Sequence, residues 1–152
     1  MIINLLGFAP QKLKKICKQT SVDTLKLLKT PCVELTIKFV SKKEIRRLNR
    51  EFRQIDKVTD VLSFPATNTK AGEAVDGGDG IYLGDMALCL TRAKQQAKQY
   101  NNTFVDEVKK LVVHSILHLL GYDHIEDSDY AVMNAKEQEI FSNLNKGENH
   151  GF

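Results

Sequence analysis

CVELTIKFV, residues 32–40, sets Val33, Leu35, Ile37 and Phe39 in alternation with Glu34, Thr36 and Lys38. A period of two places one set on each face of an extended chain, so this stretch reads as a half-buried strand. The neighbouring segments sort themselves around it. Ser41 with Glu44 three residues later is a capping-box pattern, which opens a helix carrying Ile45, Leu48 and Phe52 on its inner side. Upstream, Ile2 to Leu6 reads as a short strand. Residues 10–28 follow as a helix that opens at Pro10, carries Leu13, Ile16, Cys17, Leu25 and Leu28 at helical spacing, and ends before Pro31. Downstream, Val61 to Phe64 is a strand closed by Pro65, residues 66–80 collect Thr, Asn, Gly and Asp as a surface loop, and Ile81 to Leu90 is another strand. Thr91 is expected to cap a polar helix reaching about Asn101. Thr103 opens the most apolar helix, which runs through Leu120 and is stopped by Gly121. The acidic stretch Glu126 to Asp129 suits the positive end of a last helix with Met133, Ile140, Phe141 and Leu144 on one face. The expected fold is α+β, with about four strands in a mixed sheet covered mainly on one face by about five helices.

At 152 residues the chain is expected to form a single domain, residues 1–152, with a polar tail from about 146 that includes His150. A chain of this size removes about 70% of its unfolded surface from water. Its apolar runs are too short to cross a bilayer. Its first nine residues lack the basic start of a secretory signal, which points to the cytoplasm. Cys17, Cys32 and Cys89 are far apart in apolar surroundings and read as reduced core thiols. The net charge of +3 does not by itself announce nucleic acid. Lys12, Lys14, Lys15 and Lys18 crowd one segment, and Arg46, Arg47, Arg50 and Arg53 crowd another. Both clusters read first as solvated helix faces.

The chemistry concentrates in HSILHLLGYDH, residues 114–124. His114 and His118 are one helical turn apart on one face, and after Gly121 the chain can bring His124 to the same point. Imidazoles set among Leu111 to Leu120 are costly to bury unless each finds a partner, and one ion would satisfy all three. Three neutral nitrogen ligands leave a coordination position open, the arrangement of a catalytic rather than a structural zinc site. The spacing equals that of the zinc proteases H-E-x-x-H-x-x-G-x-x-H, but Ser115 stands where they place their general-base glutamate. A peptidase is therefore disfavoured. An ion keeping its full +2 charge favours an anionic substrate such as a phosphodiester and activates bound water.

HSILHLLGYDH, together with Arg53 to Asp56, TDVLSFP at residues 59–65 and Leu83-Gly84-Asp85, resembles in composition and order the three motif blocks of the YbeY family of bacterial rRNA maturation factors. The resemblance spans roughly residues 33–141. It implies a single-strand-specific, metal-dependent endoribonuclease, usually holding zinc and here expected to bind one ion per chain. It also implies action in maturation of the small-subunit rRNA 3′ end and in ribosome quality control, with single-stranded RNA and the small ribosomal subunit as partners. The family's metal ligands fall on His114, His118 and His124, and its functionally important arginine on Arg53. Members typically carry glycine where this chain has Ser115; its hydroxyl can bond back to the helix backbone, and the larger residue is expected to alter how closely another segment packs there.

Read from the residues, Arg53 is either a planar donor for phosphate or a surface ion pair. Asp123 would orient an imidazole or cap the turn, and Asp85 needs a hydrogen-bond partner within an apolar strand. Asp60 and Ser63 are expected to hold strand to loop. No residue stands out as a general base, and the expected nucleophile is either metal-bound water or a metal-activated ribose 2′-hydroxyl. Two other readings use the same cage: a metal-dependent hydrolase of another substrate, and a non-catalytic ribosome-assembly factor with a structural metal. Aromatic residues make up only 7% of the chain, so no platform for unpaired bases stands out.

Overall fold

A computed structural model of the chain describes residues 1–30, 33–66, 81–122 and 127–149, with backbone alone for residues 127 and 145–149. The elements run β1 (Ile2–Gly7), α1 (Gln11–Leu27), β2 (Val33–Phe39), α2 (Lys42–Arg53), β3 (Val61–Pro65), β4 (Ile81–Leu88), α3 (Leu90–Gln99), α4 (Phe104–Leu119) and α5 (Asp127–Asn149). The sheet order is β1-β2-β4-β3, with β1, β2 and β4 parallel and β3 antiparallel to β4. This is the α+β fold expected, a mixed four-stranded sheet with five helices.

The alternation in β2 is what organises the layers. Val33, Leu35, Ile37 and Phe39 are buried with Ile3 and Leu5 of β1 and Leu83, Met86 and Leu88 of β4, against Cys17 and Leu25 of α1 and Val108, Val112 and Ile116 of α4. Val113 and Leu117, on another side of α4, meet Met133 and Ile140 of α5. Burying side chains of this size contributes roughly 1.5–3 kcal/mol each, which is why the most apolar helix lies at the centre of the stack. On the opposite face α2 packs Ile45 and Leu48 against Leu62 and Phe64 of β3 and Ala87 of β4. The remainder of that face is polar. Asn4 Nδ2 donates to Glu34 Oε2 at 2.8 Å, the hydroxyls of Thr36 and Tyr82 lie 2.6 Å apart, and Tyr82 donates to Asp85. Asp85 thus has the partner its apolar strand demanded. Burial first, and then this carboxylate, raise the Tyr82 phenol above its ordinary value.

Two helix starts follow the expected caps. Ser41 Oγ accepts the Glu44 N–H and Thr103 Oγ1 accepts the Asp106 N–H, both at 3.1 Å. Gly121 takes φ +95° just after α4, and the Tyr122 N–H returns to the Leu117 carbonyl at 3.0 Å, as a glycine helix stop requires.

The expectations for Thr91 and Phe52 need correction. Thr91 lies inside the first turn of α3; the N-cap is Cys89, with no side-chain cap. The Cys89 N–H donates to the Asp60 carbonyl at 2.8 Å, so the helix starts directly off β4 and needs no capping hydroxyl. Phe52 is 56% exposed and packs edge-to-face on Phe64 at 5.3 Å, because Asn49 takes the buried position and donates to the Lys57 carbonyl at 3.0 Å. The backbone of α5 continues through Asn149, so residues 146–149 of the expected polar tail are helical; His150 lies outside the described residues. Cys17 and Cys89 are buried free thiols, and burial pushes Cys17 up to about 12. Cys32 and residues 67–80 of the expected loop lie outside the described residues.

Gly84 decides how closely the two antiparallel strands approach. It takes φ +141°, and a Cβ there would stand 2.2 Å from the Phe64 carbonyl oxygen. Gly84→Ala is expected to lower stability by about 2 kcal/mol or more, read as a Tm fall of roughly 4–8 °C. An unchanged Tm would show that β3 shifts without cost.

Candidate active site

Glu107, Lys110, His114 and His118 recur along α4 at spacings of three and four, which lines them up on one face of the helix. The other faces are committed to Val108, Val112, Val113, Ile116 and Leu117 in the core. All four polar residues line a cleft of about 810 Å³, whose opposite wall is β3 with Arg53 and whose far end is the C-terminus of α3.

Inside it the two imidazoles meet edge-to-face, ring centroids 4.6 Å apart, with their Nε2 atoms 3.1 Å from each other. Behind His114, Glu137 of α5 bonds to Nδ1. A carboxylate accepting the Nδ1 proton leaves the Nε2 lone pair facing His118, the tautomer a metal ligand requires. Two nitrogens each 2.0–2.1 Å from a tetrahedral ion stand about 3.4 Å apart, so the pair fits two arms of a metal centre with little movement. His124, the third expected ligand, and Asp123 lie outside the described residues.

Glu137 escaped the reading of the sequence because 23 residues separate it from His114 and no local spacing links them. The signal was its place between Met133 and Ile140, on the buried face of α5. Its own side chain is 17% exposed. Glu137→Ala is expected to weaken metal binding by roughly 10- to 100-fold, with Glu137→Gln intermediate because it still accepts the Nδ1 proton. Competition with a colorimetric chelator reads this; equal affinity in all three proteins would remove Glu137 from the site.

The arginine-rich helix divides. Arg46 pairs with Asp56 at 2.9 Å, Arg47 with Glu44 and with Glu51, and Arg50 approaches Asp56 at 3.8 Å. These pairs are exposed and contribute little to stability, but they hold Glu44 and Asp56 below the usual carboxylate range by hydrogen bonds from Arg47 and Arg46. Three arginines of the cluster are thus occupied as a solvated face. Arg53 differs: Nη2 donates to the Ser63 carbonyl at 2.6 Å and the guanidinium lies 5.9 Å from the centre of the Phe64 ring. Those contacts aim it along the cleft wall and leave most of its five N–H donors for a ligand. No residue of the Lys12 to Lys18 cluster lines the cleft.

Ser63 decides between the two possibilities for Ser115. The two hydroxyls hydrogen-bond at 2.7 Å across the buried interface of β3 and α4, so Ser115 ties the histidine helix to the strand that holds Arg53 instead of bonding to its own turn. Asp60 anchors the start of the same strand. It accepts from the Val61 N–H at 2.7 Å and from Gln96 Nε2 of α3 at 2.8 Å.

The family model Endoribonuclease YbeY matches residues 6–145. The Endoribonuclease YbeY of Clostridium botulinum (strain Eklund 17B) is 44% identical over 124 residues, covering 73% of this chain and 75% of the relative. That of Caldicellulosiruptor bescii is 38% identical over 139 residues and 88% of each chain. The solution structure of TM1509 from Thermotoga maritima aligns with TM-score 0.60 at 29% identity, over 95% of this chain and 93% of that one. A match running from β1 to α5 takes in the paired histidines, the strand that holds Arg53 and the helix that supplies Glu137, and the chain belongs to the YbeY family of endoribonucleases.

Proposed function

We propose that this chain cleaves single-stranded RNA at a centre where His114, His118 and His124 hold one zinc ion per chain and Arg53 meets the scissile phosphate. The family is one of metal-dependent hydrolases acting in 3′ maturation of 16S rRNA. The substrate proposed here is accordingly the small-subunit rRNA, met on the ribosome in the cytoplasm by a protein folded as one domain. No helix among the described residues is long and apolar enough to cross a membrane. The observation that carries the reading is the convergence of His114 and His118 Nε2 within the cleft that Arg53 borders, with Glu137 fixing one ring from behind.

When bound, a divalent ion supplies Lewis-acid activation of the attacking oxygen and neutralises charge on the phosphate. The protein's own part is positioning. Glu137 keeps the proton on His114 Nδ1 and the Nε2 lone pair in the cleft. Arg53 presents planar donors to a non-bridging phosphate oxygen, where charge accumulates as the phosphodiester is attacked. The Ser63–Ser115 hydrogen bond holds the two walls in register, so neither group has to reorganise at the moment of reaction.

The test is elemental analysis of the purified protein with a single-stranded RNA cleavage assay before chelation, after it, and after zinc is restored. About one zinc per chain and cleavage that follows the metal are expected. Metal without chelator-sensitive cleavage would favour the assembly-factor reading. Absence of metal from the wild type would overturn the centre.

A further inference from the structure

We infer that the end of the cleft between α3 and α4 is a nucleobase subsite, in which Tyr100 stacks on an unpaired base of the substrate and Lys110 engages the adjoining phosphate. The inference rests on the RNA reading above and concerns the end of the cleft formed by α3.

Tyr100 closes α3. Its N–H donates to the Gln96 carbonyl at 2.9 Å, and Asn101 then takes φ +61°. The chain turns away sharply and leaves the phenol at the rim, 65% exposed yet lining the cleft. An aromatic ring set on a helix end has few torsions to freeze, and a base of any sequence presents it a π-face. Among the described residues the side chain belongs to none of the core clusters.

Along α4 the same cleft carries a change of charge. Lys110 is exposed one turn before His114, about 6 Å along the axis, and Glu107 lies about 10 Å before it. Glu107 is only 3% exposed, with Asn102 Nδ2 donating to its carboxylate at 3.2 Å. A buried carboxylate repels phosphate, which bars the sugar-phosphate backbone from the floor beyond Lys110. An N–H group on the edge of a base can donate to the same carboxylate. This fixes the orientation: base inward beneath Tyr100, phosphate outward at Lys110, one nucleotide along from the histidines. A base still paired in a duplex cannot enter, so the subsite also accounts for selection of single strands.

The experiment compares the zinc-loaded wild type with Tyr100→Ala, Tyr100→Phe and Lys110→Met. It reads fluorescence anisotropy on a short single-stranded RNA with 2′-O-methyl riboses, KM and kcat on the cleavable RNA, and zinc content. Tyr100→Ala is expected to weaken binding by roughly 5- to 150-fold, to raise KM correspondingly and to leave zinc content unchanged. Tyr100→Phe keeps the ring and stays near wild type. Lys110→Met lowers the slope of log affinity against log salt by about 0.7. With an abasic nucleotide moved stepwise along the RNA, the Tyr100→Ala penalty should disappear at one position. Wild type that binds RNA while Tyr100→Ala binds it equally well overturns the subsite and leaves the proposed function standing, and equal losses in Tyr100→Ala and Tyr100→Phe overturn stacking. Wild type that neither binds nor cleaves RNA overturns both.

Discussion

His118→Ala is expected to leave the purified protein with little or no zinc and with RNA cleavage at background, while the fold persists. Loss of a group that only orients a ligand costs roughly 10- to 100-fold in metal affinity, and removing a ligand itself must cost more. His118 contributes one of the two Nε2 atoms that converge at 3.1 Å, and its removal leaves His114 alone of that pair. The fold should survive because the packing of α4 is carried by Val112, Ile116 and Leu119, which His118 does not join. Zinc by elemental analysis, cleavage of single-stranded RNA and a thermal melt on the same sample check this. Normal zinc in the variant would remove His118 from the centre. A melt collapsed along with zinc loss would indicate a metal that pins the C-terminal helices, the structural alternative.

Arg53→Ala is expected to separate chemistry from metal. Removing one donor that stabilises developing charge costs roughly 10²- to 10³-fold in kcat, and zinc content should stay at the wild-type level because Arg53 contacts Ser63 and Phe64 and neither histidine. Arg53→Lys should recover only part of the loss, since an ammonium cannot present a planar pair of donors. Proportional loss of metal and cleavage would show that Arg53 acts by holding β3 in place. As an internal control, Arg46→Ala removes a cluster arginine already committed to Asp56 and should leave kcat near wild type.

How much of this was legible beforehand depends on how far apart in sequence the interacting groups lie. The period of two in residues 33–39, the serine and threonine caps at Ser41 and Thr103 and the stop at Gly121 rest on contacts between near neighbours, and the strand and helices they announce are present. The pairing of His114 with His118 is equally local, because one helical turn brings i and i+4 together whatever the rest of the chain does. The family resemblance rested on HSILHLLGYDH, on Arg53 to Asp56 with TDVLSFP, on Leu83-Gly84-Asp85 and on their order.

What local spacing could not supply was the partner of each group. Four arginines of one helix look alike in sequence, yet three pair with carboxylates and one crosses to the carbonyl of Ser63. Ser115 had two possibilities, its own turn or a neighbouring segment, and it meets a hydroxyl 52 residues away. Phe52 was expected inside and sits at the edge against Phe64 of the edge strand β3, because Asn49 takes the buried position. Glu137 and Tyr100 reach the cleft because α5 packs on α4 and α3 ends beside it. Sequence alone therefore determined the periodic elements and the histidine pair, whose contacts lie within a helical turn or a strand repeat. The tertiary structure alone decided which carboxylate, hydroxyl and aromatic ring face them, because those contacts exist only once distant segments have buried their apolar faces against one another.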